Sequence, residues 1–362
     1  MNRNAGSSAR IAGLDTLRFI AAIWVACSHG ARPPLEHALN GLGPLGGIIV
    51  ALDNGLFNGV ASVMTFFVIS GLVIHHAHIG SERIDIASHY ARRLTRIVPP
   101  VGVAFLVYAW LGPRFVAGFE DVLWSIYCEI AFYAVYPLLF PLFRGLGVER
   151  VFLFSTIPAA CAIALNLQVP YHSELPIAAL IAIGAPCLLL GCLLAEKLNE
   201  RGFEPDPGTD IWSWRAAAVV LSALLKLPVT HGPAHIGYPA SHWIFAVFAF
   251  FWLGREIAYF ASRGAPRWSE TGGRMSYSLY LAHNGVITLF ALSETATAPL
   301  RGMFGGGAMA WLLAWAMMIA MIVVAMGALF IVIEQPCHRY ARLLTRARPA
   351  WRAGKGWARV SS

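Results

Sequence analysis

The chain has 362 residues, of which 57% are hydrophobic and 13% charged, and its formal net charge is +8. Soluble domains contain about 25% charged residues, so this composition excludes a single soluble globular protein. It indicates an all-α, polytopic bundle of membrane-spanning helices. The basic residues lie between apolar segments rather than on one soluble face. The positive-inside rule therefore explains the net charge, and no nucleic-acid partner is expected.

Ten apolar segments are predicted to span a membrane. Arg3 and Arg10 precede the first one and place the N-terminus in the cytoplasm, and an even number of spans returns the C-terminus there. Residues 1–340 are thus expected to form one transmembrane domain, followed by a basic cytoplasmic tail at 341–362. The Pro- and Gly-rich segment 32–54 is predicted to be an external, partly re-entrant loop. The predicted spans are 11–31, 56–77, 97–112, 121–143, 151–167, 177–195, 216–230, 242–260, 275–293 and 308–333.

No metal site is predicted. The six cysteines show no CxxC spacing and mostly lie inside the predicted spans, which is typical of small buried hydrophobic residues. His75, His76 and His78 form a run at the cytoplasmic end of the second span. A metal site would need ligands that converge from other segments, so the run is interpreted as the polar end of a helix.

The first span carries three ionisable residues, Asp15, Arg18 and His29. At about 100° per residue, Arg18 and His29 fall within roughly 20° of one another around the helix and about 16 Å apart along its axis. Such groups are costly in a bilayer unless they face a bundle interior or a wet cavity. The pattern therefore predicts a functional site on this face. The alternative is that Asp15 and Arg18 form an interfacial pair where the helix begins.

Glu129 is the second intramembrane candidate, because it lies about eight residues inside the fourth span among Ile, Phe and Tyr. A buried carboxylate needs a cation or several hydrogen-bond donors, and arginines from other helices are the expected partners. The alternative is a hydrogen bond between helices that fixes their packing.

Three arginines precede the third span. Arg92 and Arg96 are one helical turn apart and share a face, with Arg93 beside them. Guanidinium groups suit phosphate, so the cluster predicts a phosphate-bearing ligand or, equally, contacts to lipid head groups. A second intramembrane histidine, His283, is interpreted as a hydrogen-bonded core residue. From these residues alone, proton-coupled transport and a transfer reaction with an anionic donor both remain open.

Six motifs in a fixed order resemble the acyltransferase-3 family of integral membrane acyltransferases over nearly the whole chain. Two residues differ from the family pattern. Met64 replaces an Asp that many members carry, and Asn284 replaces the usual aromatic after His283. The matching segments are GLDTLRFIAAIWVACSH, FFVISGLVI, YARRLTRIVPP, LWSIYCEIAFY, GRMSYSLYLAHN and IEQP.

The resemblance implies transfer of an acyl group, acetyl in the simplest case, from cytoplasmic acyl-CoA to a hydroxyl of a glycan, surface polysaccharide or other acceptor. His29 is then expected to deprotonate the acceptor or to carry the acyl group transiently, with Glu129 orienting the imidazole or a substrate hydroxyl. No bound cofactor is expected, and the implied location is the bacterial inner membrane. Arg18, Arg92, Arg93 and Arg96 are assigned to the donor, and Asp15, Ser125, Tyr127 and His283 to supporting roles.

A different class of function also fits ten spans without a soluble catalytic domain. An exporter or flippase would move a glycan or an acylated metabolite without acyl-transfer chemistry. Many transporters show an internal repeat between their halves, and this chain shows none. The acceptor, the acyl group, the side of transfer and the oligomeric state stay open at this point.

Overall fold

The computed structural model describes residues 11–201, 210–231, 236–292, 302–303 and 307–346, and these residues form helices and no β-strand. The prediction of an all-α bundle is confirmed. The helices are α1 (Leu14–Ala26), α2 (Leu35–Ala38), α3 (Gly43–Leu56), α4 (Gly59–His76), α5 (Ile86–Leu111), α6 (Pro113–Leu146), α7 (Val148–Leu165), α8 (Ile177–Arg201), α9 (Ile211–His231), α10 (Tyr238–Arg263), α11 (Arg267–Arg274), α12 (Ser276–Leu292), α13 (Ala308–Leu329) and α14 (Gln335–Arg346).

Each of the ten predicted spans coincides with a helix, but fewer segments are individually long and apolar enough to cross a membrane. Among the described residues seven qualify. Helix α1, with 13 residues, is about 20 Å long and too short to cross a 30 Å hydrocarbon layer by itself, and α12, with 17, is at the lower limit. Helix α9 has 21 residues but is not among the seven. The count of ten and the cytoplasmic termini stay predictions. The seven segments are Gly43–His76, Ile86–Leu111, Pro113–Leu146, Val148–Leu165, Ile177–Glu200, Tyr238–Arg263 and Ala308–Leu344.

Segment 32–54 is largely helical rather than a loop, which corrects the expectation from its Pro and Gly content. Helix α3 continues to Leu56, where Lys226 of α9 donates hydrogen bonds from Nζ to the carbonyls of Asn54 (2.5 Å) and Phe57 (3.0 Å). A cation at these otherwise unpaired carbonyls stabilises the helix end. The next helix, α4, begins after Asn58, whose side chain accepts from the Ala61 N–H at 3.3 Å.

The boundary assigned to the tail, after residue 340, stays a prediction. Helix α14 covers residues 335–346, so position 340 lies inside a helix, while residues 347–362 lie outside the described part of the chain. A π-helical turn at Phe330–Glu334 joins α13 to α14.

Helix α4 is the centre of the bundle, since 13 of its 18 residues are buried. Its backbone lies directly against α8 at two glycines. A Cβ on Gly71 would collide with the Leu188 carbonyl, and one on Gly191 would collide with the Val68 carbonyl. Small residues allow membrane helices to approach this closely, and the contact fixes the depth and rotation of α4.

The first helix is held by its neighbours in a similar way. Gly273, at the end of α11, packs against the backbone of Asp15 so closely that no side chain fits there. After Ala26 the α-helix widens into a π-helical turn, Cys27–Ala31, in which Gly30 has φ 121°. The indole Nε1–H of Trp315 on α13 donates to the Ala31 carbonyl at 3.0 Å. This turn carries His29.

Replacing Gly191 by Ala should destabilise the fold by about 1–3 kcal/mol, because the new methyl group overpacks a contact between two backbones. Thermal unfolding of purified protein in detergent or nanodiscs measures the change. Gly102→Ala on α5 is the matched control, since nothing lies within 4 Å of its Cβ position; it should be neutral or stabilising. Equal unfolding temperatures for the two variants would contradict the assignment of the α4–α8 contact.

Candidate active site

An arginine-rich cavity of about 460 Å³ lies where α1 and α5 begin and α4 ends. We call it the vestibule. Under the predicted topology it faces the cytoplasm. Asp15 is the one carboxylate among its lining residues, so cationic and imidazole groups dominate its surface. It is lined by Ile11, Leu14, Asp15, Arg18, Val73, His76, Ala77, His78, His89, Arg92, Arg93 and Arg96.

A smaller cavity of about 70 Å³ lies deeper in the bundle, and we call it the inner cavity. Its walls combine two arginines and a carboxylate with several hydroxyl groups. Arg18 and Arg96 line both cavities, so their side chains stand at the passage between them. The inner cavity is lined by Arg18, Val63, Phe66, Phe67, Ser70, Arg96, Ile97, Ser125, Ile126, Glu129, Tyr133, Ser276, Tyr277 and Tyr280.

The four arginines assigned to the donor therefore meet around one opening but are not equivalent. Arg92 and Arg93 line only the vestibule, and the Arg93 guanidinium lies 5.1 Å from the centre of the Tyr133 ring. Arg18 pairs with Asp15 one turn earlier on α1 at 3.2 Å. This is the interfacial pair that the sequence left as an alternative, and it occurs on a cavity wall.

Arg96 is the exception among these cations. It makes no hydrogen bond and no ion pair within 4 Å to any residue in the described ranges. Asp15, Glu129 and Glu334 are nevertheless close enough to act on it electrostatically, and the guanidinium of Arg18 is close enough to repel it. Within the described part of the chain its donors are thus free, between the two cavities that it lines. This is the arrangement of a site for an anion or a polarised oxygen.

Glu129 lies in the inner cavity and uses one oxygen for packing. Its Oε1 accepts hydrogen bonds from Ser70 Oγ on α4 (3.0 Å) and from Tyr133 OH one turn further along α6 (2.6 Å). No hydrogen bond to Oε2 is found within the described residues. The expected arginine partner is not in direct contact: within the described residues Glu129 forms no ion pair, and two hydroxyl groups take that place. The hydrogen bond to Ser70 is the contact between helices that the sequence left as an alternative.

The supporting residues do not all come to this site. Ser125 lines the inner cavity, and its Oγ is 2.7 Å from Tyr280 OH, which also donates to the Val122 carbonyl at 3.0 Å. Tyr127 lies on another face of α6, is 44% exposed and lines neither cavity. The position of Tyr127 within the motif does not show which face of α6 lines the cavity.

His29 lies outside both cavities, on the π-helical turn. Its ring meets the ring of His283 on α12 edge to face, with centroids 5.3 Å apart. The Asp121 carboxylate on α6 is close enough to act on it electrostatically. His29 is exposed, and it makes no hydrogen bond to another described residue.

The histidine and the carboxylate assigned to catalysis are therefore in successive parts of the bundle rather than in contact. Asp121, near His29, and Glu129 are eight residues apart on α6, which corresponds to about 12 Å along the axis. Tyr280 links the two regions, since it lines the inner cavity and its ring centre is 5.8 Å from that of His283. A reaction that uses both groups needs a substrate extending past Tyr280.

The histidine run at the end of α4 has mainly structural contacts. His75 is 2% exposed, with Nδ1 2.9 Å from Tyr136 OH and Nε2 2.7 Å from Glu196 Oε1 on α8. His78 donates from Nδ1 to the Ile74 carbonyl at 2.8 Å. Burial lowers the pKa of His78, in the turn after α4, below its usual value, so at neutral pH it adds no charge to the vestibule.

Sequence reasoning missed several residues of the inner cavity. Tyr133 follows Glu129 by four residues, and this spacing on a helix was a usable signal for their hydrogen bond. Ser70 and Tyr280 come from helices whose rotation the sequence does not fix. Glu334, on the second π-helical turn, is fully buried and accepts from the N–H and Oγ of Ser278 at 3.2 and 2.5 Å.

Comparisons with known proteins identify the family of this chain. A family model described as "Acyltransferase domain" matches residues 11–330, a range that includes every residue lining the two cavities. The chain is also 28% identical to a protein named "Acyltransferase MdmB" from Streptomyces mycarofaciens, and the alignment covers 94% of each chain. No solved structure matches the chain.

The two regions should be reachable from opposite sides of the membrane. In a background without the native cysteines, Ala77→Cys at the vestibule should react with a membrane-impermeant maleimide only in inside-out vesicles. Glu120→Cys, beside Asp121 on α6, should react only in intact cells. Labelling both variants from the same side would contradict the predicted topology, because α6 and the end of α4 would then share a face of the membrane.

Proposed function

Since this chain belongs to the acyltransferase domain family, we propose that it is an acyl-CoA-dependent enzyme that acylates a hydroxyl group. The acceptor is a glycan, a surface polysaccharide or another hydroxyl compound, and the location is the bacterial inner membrane. The proposal is supported by two adjacent cavities that share Arg18 and Arg96. A basic vestibule leads, between two arginines, to a small cavity with a carboxylate and hydroxyl groups.

The vestibule suits the nucleotide end of coenzyme A. Its volume of about 460 Å³ lies in the range of small-molecule sites. Arg92 and Arg93 offer planar donor pairs that bind phosphate oxygens in a bidentate way. A lipid head group presents the same phosphate chemistry, but lipid alone does not require a passage that continues inward.

The passage suits the acyl end of the donor. The pantetheine arm is neutral and thin, and it would run between Arg18 and Arg96 into the inner cavity. The inner cavity, at about 70 Å³, is several times smaller than the vestibule at about 460 Å³, which favours a short acyl group such as acetyl. There the free donors of Arg96 would face the thioester carbonyl, where negative charge develops during transfer.

The transfer itself needs a base near the acceptor. We assign His29 this role because a neutral imidazole is the usual base near neutral pH. It takes the proton of the acceptor hydroxyl while the C–O bond forms and the C–S bond breaks. The proton then passes to the departing thiolate, which yields free coenzyme A. Glu129 would hold a donor group of the substrate through its free Oε2.

The side chain of Tyr280 lies between the inner cavity, where the acyl donor would bind, and His29, the proposed base. Its ring is the shared wall between the inner cavity and the histidine pair, and it also contacts Phe66 at 6.3 Å between ring centres. Transfer in this proposal requires Tyr280 to turn away, so that the acyl carbon and the acceptor hydroxyl meet within hydrogen-bond reach of His29. A closed wall also keeps water from the thioester, which prevents hydrolysis.

His29→Ala should lower the rate of acyl-CoA-dependent transfer by at least the 10²–10⁴-fold typical of a general base. Release of free thiol by purified protein with the acceptor measures this rate. Unchanged thermal unfolding and unchanged monodispersity show that the variant is folded. Full activity of the variant would remove His29 as the base, and substrate movement across vesicles without thiol release would support the exporter instead.

Arg93→Ala should raise the KM for acyl-CoA by about tenfold or more, the equivalent of one lost charged hydrogen bond, with little change in kcat. Arg96→Ala should also lower kcat, because Arg96 lines the inner cavity as well as the vestibule. Steady-state kinetics over a range of acyl-CoA concentrations separates the two effects.

The matched control for these variants is Arg150→Ala. It removes one positive charge from an exposed position on α7 that lines neither cavity. It should leave both constants unchanged. Equal kinetic constants in all three variants would indicate that the arginine cluster only follows the positive-inside rule or binds lipid head groups.

A further inference from the structure

His283 is a fully buried histidine with one ring nitrogen that has no partner. The residue is 0% exposed. Its Nδ1 lies 3.2 Å from the carbonyl oxygen of Leu279, one turn earlier on α12. Its Nε2 has no hydrogen bond within the described residues. Buried polar atoms are almost always paired, so an orphaned nitrogen at this depth indicates a partner that arrives during function.

The hydrogen bond to Leu279 fixes which nitrogen carries the proton. A carbonyl oxygen can only accept, so Nδ1 must be the donor. In the neutral ring Nε2 then carries a lone pair and no hydrogen. The orphaned atom is therefore an acceptor that waits for an N–H or O–H group.

Among the described polar groups in ring contact with His283 or beside it in sequence, His29 is the candidate donor. Tyr280 OH is already engaged with Ser125 and the Val122 carbonyl. The amide of Asn284 donates to the Gly118 carbonyl. His29 remains, with its ring edge to face against the His283 ring, centroids 5.3 Å apart, and with no hydrogen bond of its own among described residues.

Few charged groups act on His29 besides this neighbour. Asp121 on α6 faces it, and His283 is the titratable group on α12. Helix α13 contains no titratable residue, and the histidines of α4 lie at its opposite end. Asp121 and His283 are thus the titratable groups that face His29 from neighbouring helices, and on its own segment Arg32 follows, paired with Asp53 at 3.4 Å.

We propose that His283 is a positioning residue for His29, and that its Nε2 accepts an N–H hydrogen bond from the His29 ring during turnover. This inference rests on the proposed function and deepens it. The bond fixes the His29 tautomer and turns the second, unprotonated nitrogen of His29 toward the acceptor hydroxyl. His283 would therefore act like the carboxylate of a nucleophile–histidine–acid triad, which accepts a hydrogen bond from the histidine and fixes its tautomer.

The proton inventory of the step is simple. The acceptor hydroxyl gives its proton to the free nitrogen of His29 as the ester C–O bond forms and the thioester C–S bond breaks. The imidazolium keeps its other N–H on His283 Nε2, and this bond strengthens as the charge builds up. His29 then returns the acquired proton to the thiolate. His283 stays neutral throughout and passes no proton on.

Two isosteric variants separate this role from simple packing. His283→Gln keeps an acceptor near the position of Nε2, whereas His283→Asn keeps a donor near Nδ1 for the Leu279 carbonyl and loses the acceptor. We expect His283→Asn to lower kcat by 10–100-fold at nearly constant KM for acyl-CoA. His283→Gln should retain most of the activity. A packing role predicts the opposite order or equal losses with reduced thermal stability.

The dependence of activity on pH distinguishes the two roles, because a change in packing alone would not shift it. An acceptor on His283 stabilises the imidazolium form of His29 and so raises its pKa. Activity needs the neutral form, so the profile rises with pH on its acidic side. In His283→Asn this rise should shift to lower pH, and in His283→Gln it should stay near the wild-type position. Profiles that coincide in all three proteins would overturn the proposal.

A measurement without substrate distinguishes failure of this inference from failure of the proposed function. Full-length protein with ¹⁵N-labelled histidine in nanodiscs reports the tautomer of each ring, and His283→Asn identifies the relevant signals. We expect His283 as the neutral Nδ1–H form. An Nε2–H form would overturn the inference whatever the enzymatic activity. Absence of any acyl transfer by the wild type, with the expected tautomer present, would instead refute the proposed function alone.

Discussion

The structure depends on keeping several charges together inside an apolar bundle. Arg18 and Arg96 lie between the two cavities, with Asp15, Glu129 and Glu334 close enough to balance them. Each charge alone would cost several kcal/mol in the hydrocarbon layer. Together they offset one another, and since Arg96 has no direct partner among the described residues, the cluster retains unused donors. A bundle that served only packing would gain more stability from apolar residues at these positions.

The helices around this cluster are held by contacts that carry no charge. Gly71 and Gly191 bring the backbones of α4 and α8 together, and this sets where Ser70 points toward Glu129. Gly273 likewise allows α11 to pack directly against the backbone of α1 at Asp15. The polar site is therefore positioned by glycines that never touch a substrate, and its geometry follows from the close approach of the helices.

The sequence predicted the helical class and a helix at each of the ten apolar segments, because hydropathy is a local property. The assignment of Arg18, Arg92, Arg93 and Arg96 to one donor came from the family resemblance, and the four residues line one cavity. It could not place His29. The turn from Cys27 to Ala31 is π-helical, so the 100° spacing that put His29 on the face of Arg18 no longer holds there. The glycine content of segment 32–54 likewise masked α3, whose end is stabilised by Lys226 from a distant helix. Such tertiary contacts are absent from any local pattern.

The central claim is that a CoA thioester enters the vestibule and extends between the two arginines. A cryo-electron microscopy structure of the full-length protein with a non-hydrolysable thioether analogue of acetyl-CoA tests it most directly. The predicted result is phosphate density beside Arg92 and Arg93, with the thioether sulfur in the inner cavity near Arg96 and Glu129. Density for the analogue at the Asp121 end of α6, or a sulfur that remains outside the inner cavity, would contradict the account.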